Sequence, residues 1–263
     1  MSDFTPDDSD WSRESVIPAV SADRSDLLEK MSSAFRGYHA AMDPALDIRD
    51  LHFRRSGGFE IDVPDLRIAA AEQVLLTGPS GCGKSTLLML AAGLLDLDAG
   101  SISIAGQVIS EVRGAARDAL RADRVGMIFQ THHLLPGLTA RENVGTALLF
   151  GGVPKGRHAE IADGLLDRLQ VEAGTRIDRL SVGQQQRVAI ARALAGEPSI
   201  VLADEPTAAL DPEHAANAIA LLQEICRERN AALLLTSHDP SLESSFERVM
   251  RFSDLARSEE PTS

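Results

Sequence analysis

The sequence predicts an α/β fold: a mostly parallel sheet covered by helices, with a small antiparallel β subdomain and a helical subdomain attached. Three observations carry this. From residue 45 onward short apolar runs alternate with helical patterns; the runs are "VLLT" (74–77), "VGMIF" (125–129), "IVLA" (200–203) and "ALLLTS" (232–237), and the helices begin near Gly83, Arg141, Gly183 and Pro212. Strands that are apolar throughout are buried on both faces, which is the mark of a parallel sheet with crossover helices. Earlier, "LDIRDLHFRR" and "FEIDVPDLRI" alternate with period two, as a half-exposed antiparallel pair does. Residues 131–195 interrupt the strand pattern and read as mostly helical.

Taken in order, residues 1–44 stand apart as an acidic extension. They carry nine carboxylates against four basic groups and hold the single Trp and the single Tyr. Within them "SDLLEKMSSAFRGY" reads as one amphipathic helix, with Asp26 and Glu29 spaced to cap it and Leu27, Leu28, Met31, Phe35 and Tyr38 on one face. The remainder of the extension has the composition of disorder. Residues 45–254 form the main domain, including the helical subdomain at about 131–195, and 255–263 read as a tail. No period of self-similarity is visible, so the domain is a single module.

Across the 263 residues, 26 basic groups face 39 acidic ones, a net charge of −13. Such a chain is repelled by nucleic acid and by anionic lipid headgroups, so neither is an expected partner. The longest strongly apolar stretch, "LLMLAAGLL" (87–95), is far shorter than the ~20 residues of a membrane span. The acidic N-terminus lacks the apolar core of a secretory signal. Two cysteines, Cys82 and Cys226, make no disulfide framework and suit a reducing cytosol.

The chemistry sits first in "GPSGCGKST". It follows the strand "EQVLLT" and opens the helix "KSTLLMLAAGL", the context a phosphate-binding loop requires. Glycines at 78, 81 and 83 let successive N–H groups point at phosphate oxygens, with Pro79, Ser80 and Cys82 between them. Lys84 adds a positive charge for the β- and γ-phosphates, the Ser85 hydroxyl suits Mg²⁺, and Thr86 closes the loop. "IVLADEP" supplies the second half. Its apolar strand presents Asp204 to hold Mg²⁺, and Glu205 follows at once, placed to accept a proton from an attacking water.

The set formed by Gly78–Thr86, Gln130 of "IFQ", "LSVGQ" (180–184), "LADEP", "AALD" (208–211) and "TSHD" (236–239) resembles the ordered motifs of ABC-type ATPases over roughly residues 46–252. The resemblance implies a P-loop NTPase (RecA-like) core that binds ATP and Mg²⁺ and hydrolyses ATP. It implies a homodimer in which each ATP lies between one P-loop and the partner's signature turn, here Ser181, Gly183 and Gln184. Elementary electrostatics agrees, because Ser181 and the N–H groups opening the next helix make an anion site. The resemblance further makes Gln130 a ligand of metal and water, His238 a γ-phosphate contact and Asp211 an interface residue.

Two positions depart from the family pattern. Val182 replaces the usual glycine of the signature and puts a β-branched side chain in a turn expected to be crowded. Arg55 stands where an aromatic ring usually stacks on adenine, leaving Phe53, Phe59 or the Arg55 guanidinium plane for that task.

A single cassette without long coiled coils is similar to transporter subunits, as against soluble ABC proteins of translation or DNA repair. "IFQTHHLLPGLTARENV" (128–144) and "LSVGQQQRVAIARAL" are similar to the lipoprotein-releasing and macrolide-exporting group, with an importer ATPase as the alternative. The resemblance therefore implies a transmembrane permease partner. It places the chain in the cytoplasm, on the cytoplasmic face of the inner or plasma membrane, with Leu134, Leu135 and Leu138 near a groove that receives a permease helix.

Overall fold

The computed structural model describes residues 43–55, 59–208 and 211–256, without the side chains of residues 212 and 213. The amphipathic helix expected before residue 39 and the tail after 256 lie outside the described residues.

Among the described residues nine strands make two sheets. β1 (Leu46–Arg54), β2 (Glu60–Ile68), β4 (Ala99–Ile104) and β5 (Gln107–Val108) form an antiparallel sheet in the order β2-β1-β4-β5. β3 (Gln73–Thr77), β6 (Val125–Ile128), β7 (Ile200–Asp204), β8 (Ala232–Ser237) and β9 (Arg248–Arg251) form a parallel sheet in the order β6-β7-β8-β3-β9. The four apolar strands expected from sequence are all present, but β6, at the edge of the sheet, has only alternate residues buried. The hairpin β4–β5 and the edge strand β9 are additions: β4 begins with Ala-Gly-Ser, and β9 begins with Arg248 and ends with Arg251, so neither carries an apolar run to announce it.

The helices are α1 (Lys84–Ala91), α2 (Gly114–Arg124), α3 (Ala140–Leu148), α4 (His158–Arg168), α5 (Val182–Leu194), α6 (Pro212–Glu228) and the short α7 (Phe252–Leu255). α3 opens on a capping box in which Thr139 and Glu142 bond each other's backbone N–H groups. α3, α4 and α5 account for the helical region expected between residues 131 and 195.

Period-two alternation divides the parallel sheet between two cores. Leu75, Val201, Ala203, Leu233 and Leu235 face the core shared with α3 to α6. Val74, Leu76, Ile200, Leu202, Ala232 and Leu234 face the core shared with α1 and the antiparallel sheet. Every residue of β7 and β8 is buried. This rigid centre fixes where the strand ends project, and the functional residues follow those ends. Among the described residues no helix is long and apolar enough to cross a membrane.

Candidate active site

β3 delivers the chain into the loop 78–83, and α1 leaves it. Gly81 and Gly83 have φ of 81° and 117°, which favours glycine. At Gly83 an added Cβ would stand 2.9 Å from the rings of Phe59 and Phe252, so space and backbone both demand glycine there. Lys84 is 4% exposed; its ammonium donates to the carbonyls of Gly78 (2.7 Å) and Pro79 (2.9 Å), which pins it across the loop. Cys82 is half-buried within the same turn and forms no disulfide.

β7 lies between β6 and β8, and its C-terminal end faces this loop. The Asp204 carboxylate is buried; one oxygen accepts from Ser85 Oγ at 3.0 Å and from Thr236 Oγ1 at 2.9 Å. Glu205 is a non-glycine residue at φ 41°, a conformation that costs on the order of 1–3 kcal/mol and concentrates at functional sites. Its N–H donates to the carbonyl and the hydroxyl of Thr236 (3.1 and 3.2 Å). Its carboxylate lies 3.7 Å from Lys84 Nζ and 2.9 Å from His238 Nδ1. The structure thus brings Lys84, Ser85, Asp204, Glu205 and His238 into one cluster. Thr236, which sequence reasoning did not single out, bonds two of them.

Two expected residues stand outside the cluster's hydrogen bonds. Gln130 is exposed in the turn after β6. Asp211 caps α6, accepting from the His214 N–H at 3.2 Å, and the His214 side chain beside it holds its carboxyl below the usual range. The turn after Gln130 is unusual. His132 and His133 both have positive φ (57° and 48°), and Arg192 of α5 donates to both of their carbonyls at 2.6 Å. His132 is buried with Nε2 2.5 Å from Gln186 Oε1, and burial lowers its pKa. His133 stacks on Phe129 with ring centroids 4.7 Å apart. Gln186 reads in sequence as a polar helix residue; only packing shows that it is fully buried.

The signature residues begin α5. Ser181 and Gln184 form a capping box, Ser181 Oγ accepting from Gln184 N and Gln184 Oε1 from Ser181 N. The turn is therefore set before any ligand arrives. Ser181 is exposed and Val182 is 49% exposed at the first helical position. The crowding expected at Val182 is not seen within the single chain, where its side chain is half-exposed. Of the three candidates for the base, Phe53 is buried in the core, Phe59 packs against the loop at Gly83, and Arg55 is exposed.

A groove of about 580 Å³ opens between α2, β6, α3 and α5, lined among others by Leu94, Val125, Phe129, Leu135 and Phe150. Leu135 and Phe150 are 46% and 74% exposed, whereas Leu134 packs into the core. Only Leu135 of the three leucines singled out by sequence lines the groove.

A family model described as "ABC transporter" matches residues 61–208. The chain is 44% identical over 193 residues to a lipoprotein-releasing system ATP-binding protein, LolD, of Ruegeria pomeroyi, covering 72% of this chain and 84% of that one. It is 38% identical over 221 residues to the macrolide export ATP-binding/permease protein MacB of Shigella flexneri, covering 81% of this chain and 34% of that longer one. Among solved structures, the dimeric post-hydrolysis state of the ATP-binding cassette MJ0796 bound to ADP and Pi superimposes with a TM-score of 0.70 at 31% identity, covering 83% of this chain and 99% of that one.

Proposed function

The chain belongs to the ABC transporter family, and from that membership we propose that it is the ATP-hydrolysing subunit of a transporter of the lipoprotein-release or macrolide-export type. The observation that carries the mechanism is the convergence of Lys84, Ser85, Asp204, Glu205 and His238 at the ends of β3, β7 and β8. Loop N–H groups and Lys84 would hold the phosphates, and Arg55, the one exposed residue of the three candidates for the base, would be the one to meet it. The Ser85 hydroxyl and Asp204 carboxylate, 3.0 Å apart, suit a hard cation that keeps most of its ligands from water and phosphate. Ser85 and Asp204 would hold Mg²⁺, which would offset the negative charge that develops on the phosphates during transfer. Glu205 takes the proton of the attacking water, Gln130 orients that water, and His238, whose Nδ1 is held by Glu205, stands beside the γ-phosphate.

Ser181, Gly183 and Gln184 serve the ATP of a second copy, and Asp211 lies at the interface between copies. The relatives' names and the dimeric cassette support such an assembly. The groove at Leu135 receives a helix of the permease, which holds the chain at the cytoplasmic face of the membrane.

Glu205→Gln tests the reading. It keeps shape and hydrogen bonding but cannot take the proton, so turnover falls roughly 10²- to 10⁴-fold while ATP still binds and the chain accumulates as a dimer. Hydrolysis within a few-fold of wild type would falsify the assignment of the base.

A further inference from the structure

Thr236 lies in β8, directly opposite Asp204 of β7. It is fully buried and follows three leucines, and a β-branched residue there needs no hydroxyl to complete the strand. Yet the hydroxyl is fully used. A carboxylate can only accept, so the Thr236 proton is committed to Asp204 Oδ1 at 2.9 Å; the carbonyl of Ala203, at 3.5 Å, is a weaker competitor. A lone pair then receives the Glu205 N–H at 3.2 Å. The bonds run in one direction, from the Glu205 amide through the Thr236 hydroxyl to the Asp204 carboxylate.

Both ends of that chain need holding. Asp204 shares its Oδ1 with Ser85, so its rotamer decides where the pair presents a cation site. Glu205 sits at φ 41°, a backbone state that persists only when its surroundings impose it, and its N–H is clasped by the carbonyl and the hydroxyl of the same threonine. We propose that Thr236 is a positioning residue for hydrolysis, its hydroxyl fixing the Asp204 carboxylate for the metal and the Glu205 backbone for the water. This rests on the roles given above to Asp204 and Glu205.

The test compares Thr236→Val, which keeps the shape and loses the hydroxyl, with Thr236→Ser, which keeps the hydroxyl. For the valine variant kcat should fall roughly 10- to 100-fold, as expected for losing a hydrogen bond to a charged group, with the KM for ATP within about two-fold. Binding of a fluorescent ATP analogue, followed while Mg²⁺ is titrated without turnover, should need several-fold more Mg²⁺. Serine should restore both quantities. Thr236→Ala should track valine, which separates the hydroxyl from any packing fault peculiar to the valine. Equal losses in valine and serine variants would show that packing matters and overturn the proposal, as would a valine variant with wild-type kcat and Mg²⁺ dependence. If Glu205→Gln is inactive while Thr236→Val is normal, the positioning role alone fails; if Glu205→Gln still turns over, the reading beneath it fails.

Discussion

The P-loop half of the site and the signature half are built on opposite plans. In the first, the clustered side chains have partners within the chain: Lys84 spans two loop carbonyls, Asp204 bonds Ser85 and Thr236, and Glu205 bonds Thr236 and His238. In the second, Ser181 and Gln184 satisfy only each other, and Ser181 and Val182 face outward at the N-terminus of the 13-residue helix α5. No hydrogen bond or ion pair among the described residues joins the two halves. The P-loop half buries the charges that do chemistry, where a lower dielectric strengthens them. The signature half leaves a helix dipole and capped turn at the surface, where a second chain's anion can reach it. Under the proposed function, one chain carries two incomplete sites of different kinds.

The comparison breaks most plainly by mixing variants. Lys84→Ala removes the cation of the P-loop half and leaves α5 intact; Ser181→Arg places a bulky cation on the outward turn and leaves the P-loop intact. Neither homodimer contains a complete site, while the mixed dimer contains one. ATP-dependent cross-linking between the two variants should therefore appear on mixing and be nearly absent for each alone. No gain on mixing folded variants would mean that the signature turn does not complete the partner's site.

A smaller effect sharpens the same contrast at the groove, the other surface left open. Leu135 is 46% exposed beside Phe150 at 74%, and its backbone N–H is tied to Asn143 at 2.7 Å, so the side chain is held outward by a fixed loop. Burying a leucine in a partner is worth about 1.5–3 kcal/mol, roughly ten- to a hundred-fold in affinity. Leu135→Asp should release the chain from membranes containing the permease and leave its ATP binding unchanged. Retention at wild-type levels after sedimentation would remove Leu135 from the docking surface.

Sequence legibility divides along similar lines. The P-loop, Asp204–Glu205 and the four apolar strands could be read because each depends on neighbours in sequence: glycine spacing, an apolar run, a carboxylate at its end. β1 was legible as a strand, yet its alternation slips where Asp50 takes φ 46° and the register with β4 shifts. What stayed hidden depends on residues far apart. Thr236 reads as an ordinary strand residue until β8 lies beside β7. Gln186 and Arg192 read as the polar face of α5 until the turn at His132 packs on them. Val182 reads as crowded because glycine is usual at its position, whereas within the single chain its side chain is half-exposed.

The smallest expected effect concerns that packed turn, which ties the loop after Gln130 to the signature helix. His132 is 8% exposed, and burial lowers its pKa more than the Gln186 contact raises it, with Arg192 adding to the lowering. The unfolded chain therefore binds a proton more readily below about pH 6.5 than the folded one does, and stability rises with pH across that window. The contribution of neutral His132 is complete above about pH 6.5 and is lost as the pH falls. His52 has the opposite sign: its bond to Asp62 raises its pKa, so its contribution is present at low pH and lost as pH rises. Carboxylates with lowered values, such as Asp211 and Asp239, act only at lower pH, toward the acidic end of their own range. Among the described groups with a shifted value, the interval from pH 7.5 to 5.5 thus singles out His132 as the one whose protonation would loosen the fold. His132→Asn is the suitable variant, because asparagine tolerates the left-handed backbone and does not titrate. It lowers stability at both pH values, since Gln186 Oε1 loses its ring partner and Gln186 Nε2 already has none among the described residues. The informative quantity is the change with pH: the urea midpoint of the wild type should fall more between pH 7.5 and 5.5 than that of the variant. Equal declines would show that burial does not lower the His132 pKa in the folded chain.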